Sequence, residues 1–140
     1  MKKPREQDTV HAILTFLALH HIPAWHMRTG ATKIGGRFIR FGVVGMADII
    51  GILPERGVRG RLSWEQPGQF LAIEVKSGKG IVTPAQQSFL DQVNAAGGKA
   101  FVARMVADVV IKLGLGVPFP TVGGQPISWA TARRLSKDGP

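Results

Sequence analysis

The chain has 140 residues, 44% of them hydrophobic, no cysteine, and 18 lysines and arginines against 9 acidic residues, a formal net charge of +9. That length fits one domain with its own core, and the missing cysteines exclude disulfides, thiolate metal sites, iron–sulfur clusters and a cysteine nucleophile. The charge points to an anionic partner, nucleic acid first, with a generic cationic surface as the plain alternative, and no apolar run approaches the ~20 residues that a membrane-spanning helix needs.

Pro4 to His20 predicts an amphipathic helix, because Val10, Ile13, Leu14 and Leu17 recur at helical spacing and Pro4 suits a first turn. These apolar residues are spaced like a helix face, not packed like the core of a signal peptide, which argues against secretion. Two strands are expected next, Ala24 to Thr29 and Arg37 to Val44, linked through Gly30 and the Gly35-Gly36 pair. Gly45 to Leu53 reads as a third, more apolar strand, and Pro54 to Gly68 as an exposed loop carrying Arg56, Arg59 and Arg61. Gln69 to Ser77 has clear β character. Thr83 to Ala96 has a complete helix signature: Thr83 as N-cap, Pro84 at the first position, Gln86 closing a capping box and Gly97-Gly98 as the stop. Lys99 to Met105 is expected as the last strand and Val106 to Leu115 as a short helix. The compact domain is thus expected over residues 1–116. An irregular tail rich in proline and glycine follows over 117–140, with a helical turn or two near 128–135. The strand–helix–strand unit from Gln69 to Met105 favours a parallel crossover, so the expected fold class is α/β, a mixed sheet flanked by helices.

Two of the acidic residues are expected inside apolar strands, Asp48 in Met46-Ala47-Asp48-Ile49-Ile50 and Glu74 in Leu71-Ala72-Ile73-Glu74-Val75-Lys76. A carboxylate there must be paired or must bind a cation, because an unpaired buried charge costs several kcal/mol. Lys76 follows Glu74 by two residues, so the strand period puts both on one face, with Ile73 and Val75 on the other. An internal ion pair with Asp48 capping a turn is one reading. The other is metal-assisted phosphodiester cleavage: oxygen ligands recruit a hard ion such as Mg²⁺, the ion polarises phosphate and water, and the lysine stabilises the growing charge.

Around these residues the chain resembles the PD-(D/E)xK nuclease superfamily, and within it the VRR-NUC (virus-type replication-repair nuclease) domain. Three stretches carry the resemblance: Gly45-Met46-Ala47-Asp48-Ile49-Ile50-Gly51, Ile73-Glu74-Val75-Lys76-Ser77-Gly78-Lys79-Gly80, and Thr83-Pro84-Ala85-Gln86-Gln87 through Phe89-Leu90 to Ala95-Ala96-Gly97-Gly98. It spans about Glu6 to Arg104, and one departure is Ala47 where a proline often precedes the first acid. The resemblance implies a restriction-endonuclease-like core and Mg²⁺ or Mn²⁺ held by Asp48, Glu74 and the main-chain carbonyl of Val75. It implies Lys76 assisting the water and the transition state, with a 5′-phosphate and a 3′-hydroxyl as products. By similarity to phage-encoded members it further implies a homodimeric, structure-specific endonuclease acting on branched DNA such as Holliday junctions, in the cytoplasm of a bacterium or a phage-infected host.

Two residues keep a double reading. At 100° per residue, Val10, Ile13 and Leu17 fall within roughly 40° of Glu6, so this acid lies on the inward stripe while Asp8 points away. It matches the first-helix acid of the superfamily and is also a favourable first-turn charge. Gln86 matches the family's glutamine beside the metal site and is also a capping-box residue. The histidines His11, His20, His21 and His26 offer no i, i+4 pair for zinc and read as surface or loop residues.

Between Asp8 and Asp48 there is no acidic residue, whereas Arg28, Lys33, Arg37 and Arg40 are present, which suggests a DNA-facing segment. Lys79, Arg56, Arg59 and Arg61 are further candidate phosphate contacts, each equally readable as a solvated surface charge. Two other functions fit the same residues. One is a non-catalytic basic DNA-binding module with internally paired carboxylates, and the other is a restriction-type nuclease that cuts by base sequence.

Overall fold

The computed structural model describes residues 4–28, 30–56, 62–63, 67–115, 121–122 and 125–126. Arg59, Arg61 and the helical turn expected near 128–135 lie outside them.

Helix α1 (Glu6–Leu19) buries Val10, Ile13 and Leu17 as its periodicity predicts, together with Phe16, while Leu14 is only partly buried. It begins after Pro4, with Arg5 as N-cap and the Asp8 carboxylate accepting from the Arg5 N–H at 3.1 Å. Strand β1 (Ala24–His26) is shorter than expected. The chain then leaves the sheet as a hairpin of β2 (Gly30–Ile34) and β3 (Arg37–Phe41), paired from Gly30↔Phe41 to Ile34↔Arg37. Residues 30–34, expected as a link, are therefore a strand. The Gly35-Gly36 turn explains it: both residues have positive φ, 56° and 78°, as a type I′ two-residue turn requires.

Strand β4 (Ile49–Leu53) starts four residues later than the expected Gly45. Gly45 has φ 81°, and the Met46 N–H donates to the Val43 carbonyl in a turn, so the chain becomes extended only at Ile49. A Cβ at Gly45 would stand 2.5 Å from the Ala85 carbonyl carbon. Only glycine lets this turn press against the following helix. Two-residue strands β5 (Glu55–Arg56) and β6 (Leu62–Ser63) pair within the segment expected as a loop. Strand β7 (Gln69–Val75), helix α2 (Pro84–Ala95), strand β8 (Lys99–Ala103) and helix α3 (Val106–Leu113) follow as the sequence predicts. β9 (Thr121–Val122) and β10 (Gln125–Pro126) form a short antiparallel ladder in the tail.

The central sheet has the order β1-β4-β7-β8, with β4 antiparallel to both β1 and β7, and β7 parallel to β8 through the α2 crossover. It is a mixed sheet flanked by helices. Leu71, Ile73 and Val75 point to one face, where they pack with Ile49 and Phe101 under α1 and α3. Ala72, with Ala47 and Ala100, lies against Leu90 of α2 on the other. Small residues on that second face let α2 sit close. β7 is thus covered on both faces and both edges, and residues 71–75 are all buried. At about 1.5–3 kcal/mol per fully buried large aliphatic side chain, this central strand holds its register firmly.

Candidate active site

The C-terminal end of β7 meets the start of β4 at Glu74 and Asp48. Glu74 is 2% exposed, on the α2 side of the sheet with Ala72. Asp48 sits just before β4, a correction to its expected place inside a strand, and the reason is the Gly45 turn described above. Its Oδ2 accepts from the Val75 N–H at 2.8 Å. The first acid is thereby locked to the residue between the other two members of the motif. Because the N–H and C=O of one strand residue share a side, the Val75 carbonyl is turned toward the same edge as Asp48.

Lys76 shares the Glu74 face as the period of two requires, its Nζ 3.3 Å from Glu74 Oε1. The ammonium occupies only one carboxylate oxygen. Glu74 Oε2 is buried and finds no N–H or hydroxyl donor, and the carboxyl neighbour within hydrogen-bonding reach of Glu74 is Asp48. Burial first, and then the Asp48 charge, push the Glu74 carboxyl up from 4.5 to about 7, against the opposing pull of Lys76. The same-face ion pair that the sequence allowed is present, at the buried end of the strand and not on a half-exposed one. Two neighbouring carboxylates, one with a buried oxygen that finds no donor, could hold a cation.

Glu6 reaches this end of the sheet from α1: its Oε2 accepts from the Ser77 N–H at 3.3 Å, while Asp8 is exposed. Among the described residues no three Asp, Glu, His or Cys side chains cluster as a metal site. An ion beside Asp48 and Glu74 would therefore take its other ligands from main chain, water or phosphate, the donors that a hard divalent ion such as Mg²⁺ accepts. Gln86 is not joined to the acids. Its Oε1 accepts from the Thr83 N–H at 2.9 Å and its own N–H donates to Thr83 Oγ1 at 3.2 Å, which is the capping-box role.

Sequence reasoning missed Arg104. Its Nη1 and Nη2 donate to the Gly78 and Gly80 carbonyls at 2.8 and 2.9 Å, clamping the turn that carries exposed Lys79 beside the site. The signal was present in the topology. A parallel β7–β8 pair with Val75 opposite Ala103 brings the residue after Ala103 next to the residues after Val75. Arg28, Lys33, Arg37 and Arg40 lie apart from the acids, Arg28 just before the β2–β3 hairpin and the other three on it. The chain entering that hairpin is tied to Asp48, whose carbonyl accepts from the Met27 N–H at 2.6 Å, and the chain leaving β3 leads to Asp48 through residues 42–47.

The family model described as the VRR-NUC domain matches residues 6–107, which include every acid of this site. The chain belongs to the VRR-NUC family. It is a nuclease domain of the PD-(D/E)xK type, and the match spans Asp48 and Glu74-Val75-Lys76. No curated protein and no solved structure matches the chain.

Proposed function

We propose that this VRR-NUC chain is a divalent-metal-dependent endonuclease that hydrolyses DNA phosphodiester bonds, acting as a homodimer on branched DNA such as four-way junctions. The observation that carries the reading is the buried Glu74 carboxylate held against Asp48, with an Oε2 that no N–H or hydroxyl satisfies. Asp48, Glu74 and the Val75 carbonyl would hold Mg²⁺ or Mn²⁺. When bound, the ion would supply Lewis acidity to a phosphate oxygen and to the attacking water.

The chain's own groups do the rest. Lys76, only 12% exposed, offers its ammonium to the charge that grows on the phosphate as water attacks. The P–O3′ bond breaks, the 3′ oxygen takes a proton, and the phosphate stays on the 5′ end. Glu6 fixes the main chain after Lys76 by holding the Ser77 N–H, and Gln86 keeps the start of α2 in place behind the Gly45 turn. Arg28, Lys33, Arg37, Arg40 and Lys79 supply phosphate contacts. A twofold substrate with two strands to nick suits a twofold enzyme with two sites, which is the argument for a homodimer on junctions.

The competing reading, a DNA-binding module, draws on the Lys76–Glu74 pair at 3.3 Å. Asp48→Ala separates the two. With Mg²⁺ or Mn²⁺ and labelled four-way, flap, splayed and linear DNA, cleavage is expected to fall by at least about 10²–10³-fold, while binding in EDTA holds or tightens as negative charge is removed. Wild-type protein that cuts none of these substrates would leave the binding module standing, and cutting governed by base sequence would mark a restriction-type enzyme.

A further inference from the structure

The β2–β3 hairpin has two unlike faces. The cross-strand register puts Lys33 opposite Phe38 and Ala31 opposite Arg40, so one face presents Lys33, Phe38 and Arg40. Thr32, Ile34, Ile39 and Phe41 belong to the other. The two phenylalanines differ in the same way. Phe41 is 47% exposed and its ring lies over Gly30, where a Cβ would meet Phe41 Cζ at 2.8 Å. Phe38 is 77% exposed, and what lies over its ring is the Lys33 ammonium, 5.9 Å from the centroid. Among the described residues, none of Arg28, Lys33, Arg37 and Arg40 has an acidic partner within salt-bridge distance.

We propose that Phe38 is a stacking platform for an unpaired base of DNA, with Lys33 and Arg40 holding the flanking phosphates. The inference deepens the nuclease reading and rests on it for the choice of DNA as the polyanion. An open ring face framed by uncompensated cations is the combination that single-stranded nucleic acid binds, since every base offers a face to stack and a backbone to neutralise. In a continuous duplex the bases already stack on one another, so the ring gains nothing there. At a branch or flap some bases are free. The chain entering the hairpin is tied to Asp48 through the Met27 N–H, and the chain leaving it leads through residues 42–47 into Asp48, so a base captured at Phe38 is held by the element that joins the acids to the sheet. Phe38 is thus a specificity-determining residue, one that selects DNA with unpaired bases.

The test measures binding of the full chain in EDTA, where no cleavage confounds it, to a labelled oligothymidylate strand and to a blunt duplex of equal length at one salt concentration. Phe38→Ala is expected to weaken single-strand binding about 5–100-fold, as removal of a single base stack should, and to change duplex binding less than about 2-fold. Phe38→Trp should bind the single strand as well as wild type, whereas Phe38→Leu, apolar without a ring, should behave like Phe38→Ala. Ile111→Ala, at an equally exposed apolar residue on α3, should change neither. Equal losses on both DNAs, no loss on either, or full function with leucine would overturn the proposal. Each of those results leaves the metal-dependent cleavage test at Asp48 untouched, so the two readings fail separately.

Discussion

The β2–β3 hairpin and the β4–β7 ladder are both antiparallel pairs with five registered partners, and Asp48 lies in the chain between the hairpin and the first strand of the ladder. In the hairpin all ten strand residues are exposed, whereas in the ladder Ile49, Gly51, Leu71, Ala72 and Ile73 are buried. The ladder places two carboxylates by burying everything around them, so its geometry is fixed and a charge there is costly. The hairpin places cations in water, where position is loose and charge costs little. Catalysis on phosphate needs the first kind of precision, and attraction of a polyanion needs only the second. Substitutions in the ladder should therefore change the fold and its response to ions, and substitutions in the hairpin should change binding alone.

The largest stability effect expected is at Glu74. Its carboxyl is pushed up from 4.5 to about 7 in the fold. Between those values the native state holds a proton that the unfolded chain has released, so stability falls as pH rises through the window. The metal-free protein is therefore expected to be more stable at pH 4.5 than above pH 7 by on the order of 3 kcal/mol from this group. Urea unfolding across pH in EDTA measures the slope. Glu74→Gln should flatten it while abolishing cleavage. A cation that binds only the folded site should offset the loss: Mg²⁺ or Mn²⁺ should raise Tm at pH 8 more than at pH 5, and should do neither in Glu74→Gln. A wild-type profile without the downward slope would mean that the ladder does not hold an ionised Glu74 against its preference.

Next in size is Gly45→Ala. A methyl group there would have to fit 2.5 Å from the Ala85 backbone at φ 81°, so the turn must move, at a cost of about 1–3 kcal/mol. The turn carries Asp48, and cleavage should drop more steeply than stability. If activity and Tm fall only in step with the fraction unfolded, the turn does not position the acid.

What could be read from the sequence divides along the same line. The period of two in Leu71-Ala72-Ile73-Glu74-Val75-Lys76 put Glu74 and Lys76 on one face, and they meet there. The capping box at Thr83 and Gln86 and the inward turn of Glu6 were equally local and are both present. The start of β4 was misplaced because Gly45 interrupts an otherwise apolar run through its contact with Ala85, which lies 40 residues away in the chain and leaves no trace in local periodicity. The strand over residues 30–34 was missed because Gly30, Ala31 and Lys33 are weak β formers, and it is their pairing with residues 37–41 that extends them. Arg104 was missed although the parallel crossover was expected, since Gly78 and Gly80 come to it only through the register of Val75 opposite Ala103, which local pattern does not set.

The smallest effect on the fold should come from the hairpin cations, and that is what makes them informative. Arg40 is exposed and has no acidic partner among the described residues, so Arg40→Ala should leave stability within about 0.5 kcal/mol of wild type. Its mark should appear in salt dependence instead. Removing one cation from a phosphate lowers the slope of log affinity against log salt by about 1, and Lys33→Ala and Arg37→Ala should each do the same. If the three effects add, the hairpin works as a field of independent charges. A combined slope that falls by much less than the sum would mean that one phosphate is shared among them, and the hairpin would then be a shaped pocket, built by the same rule as the acids it stands beside.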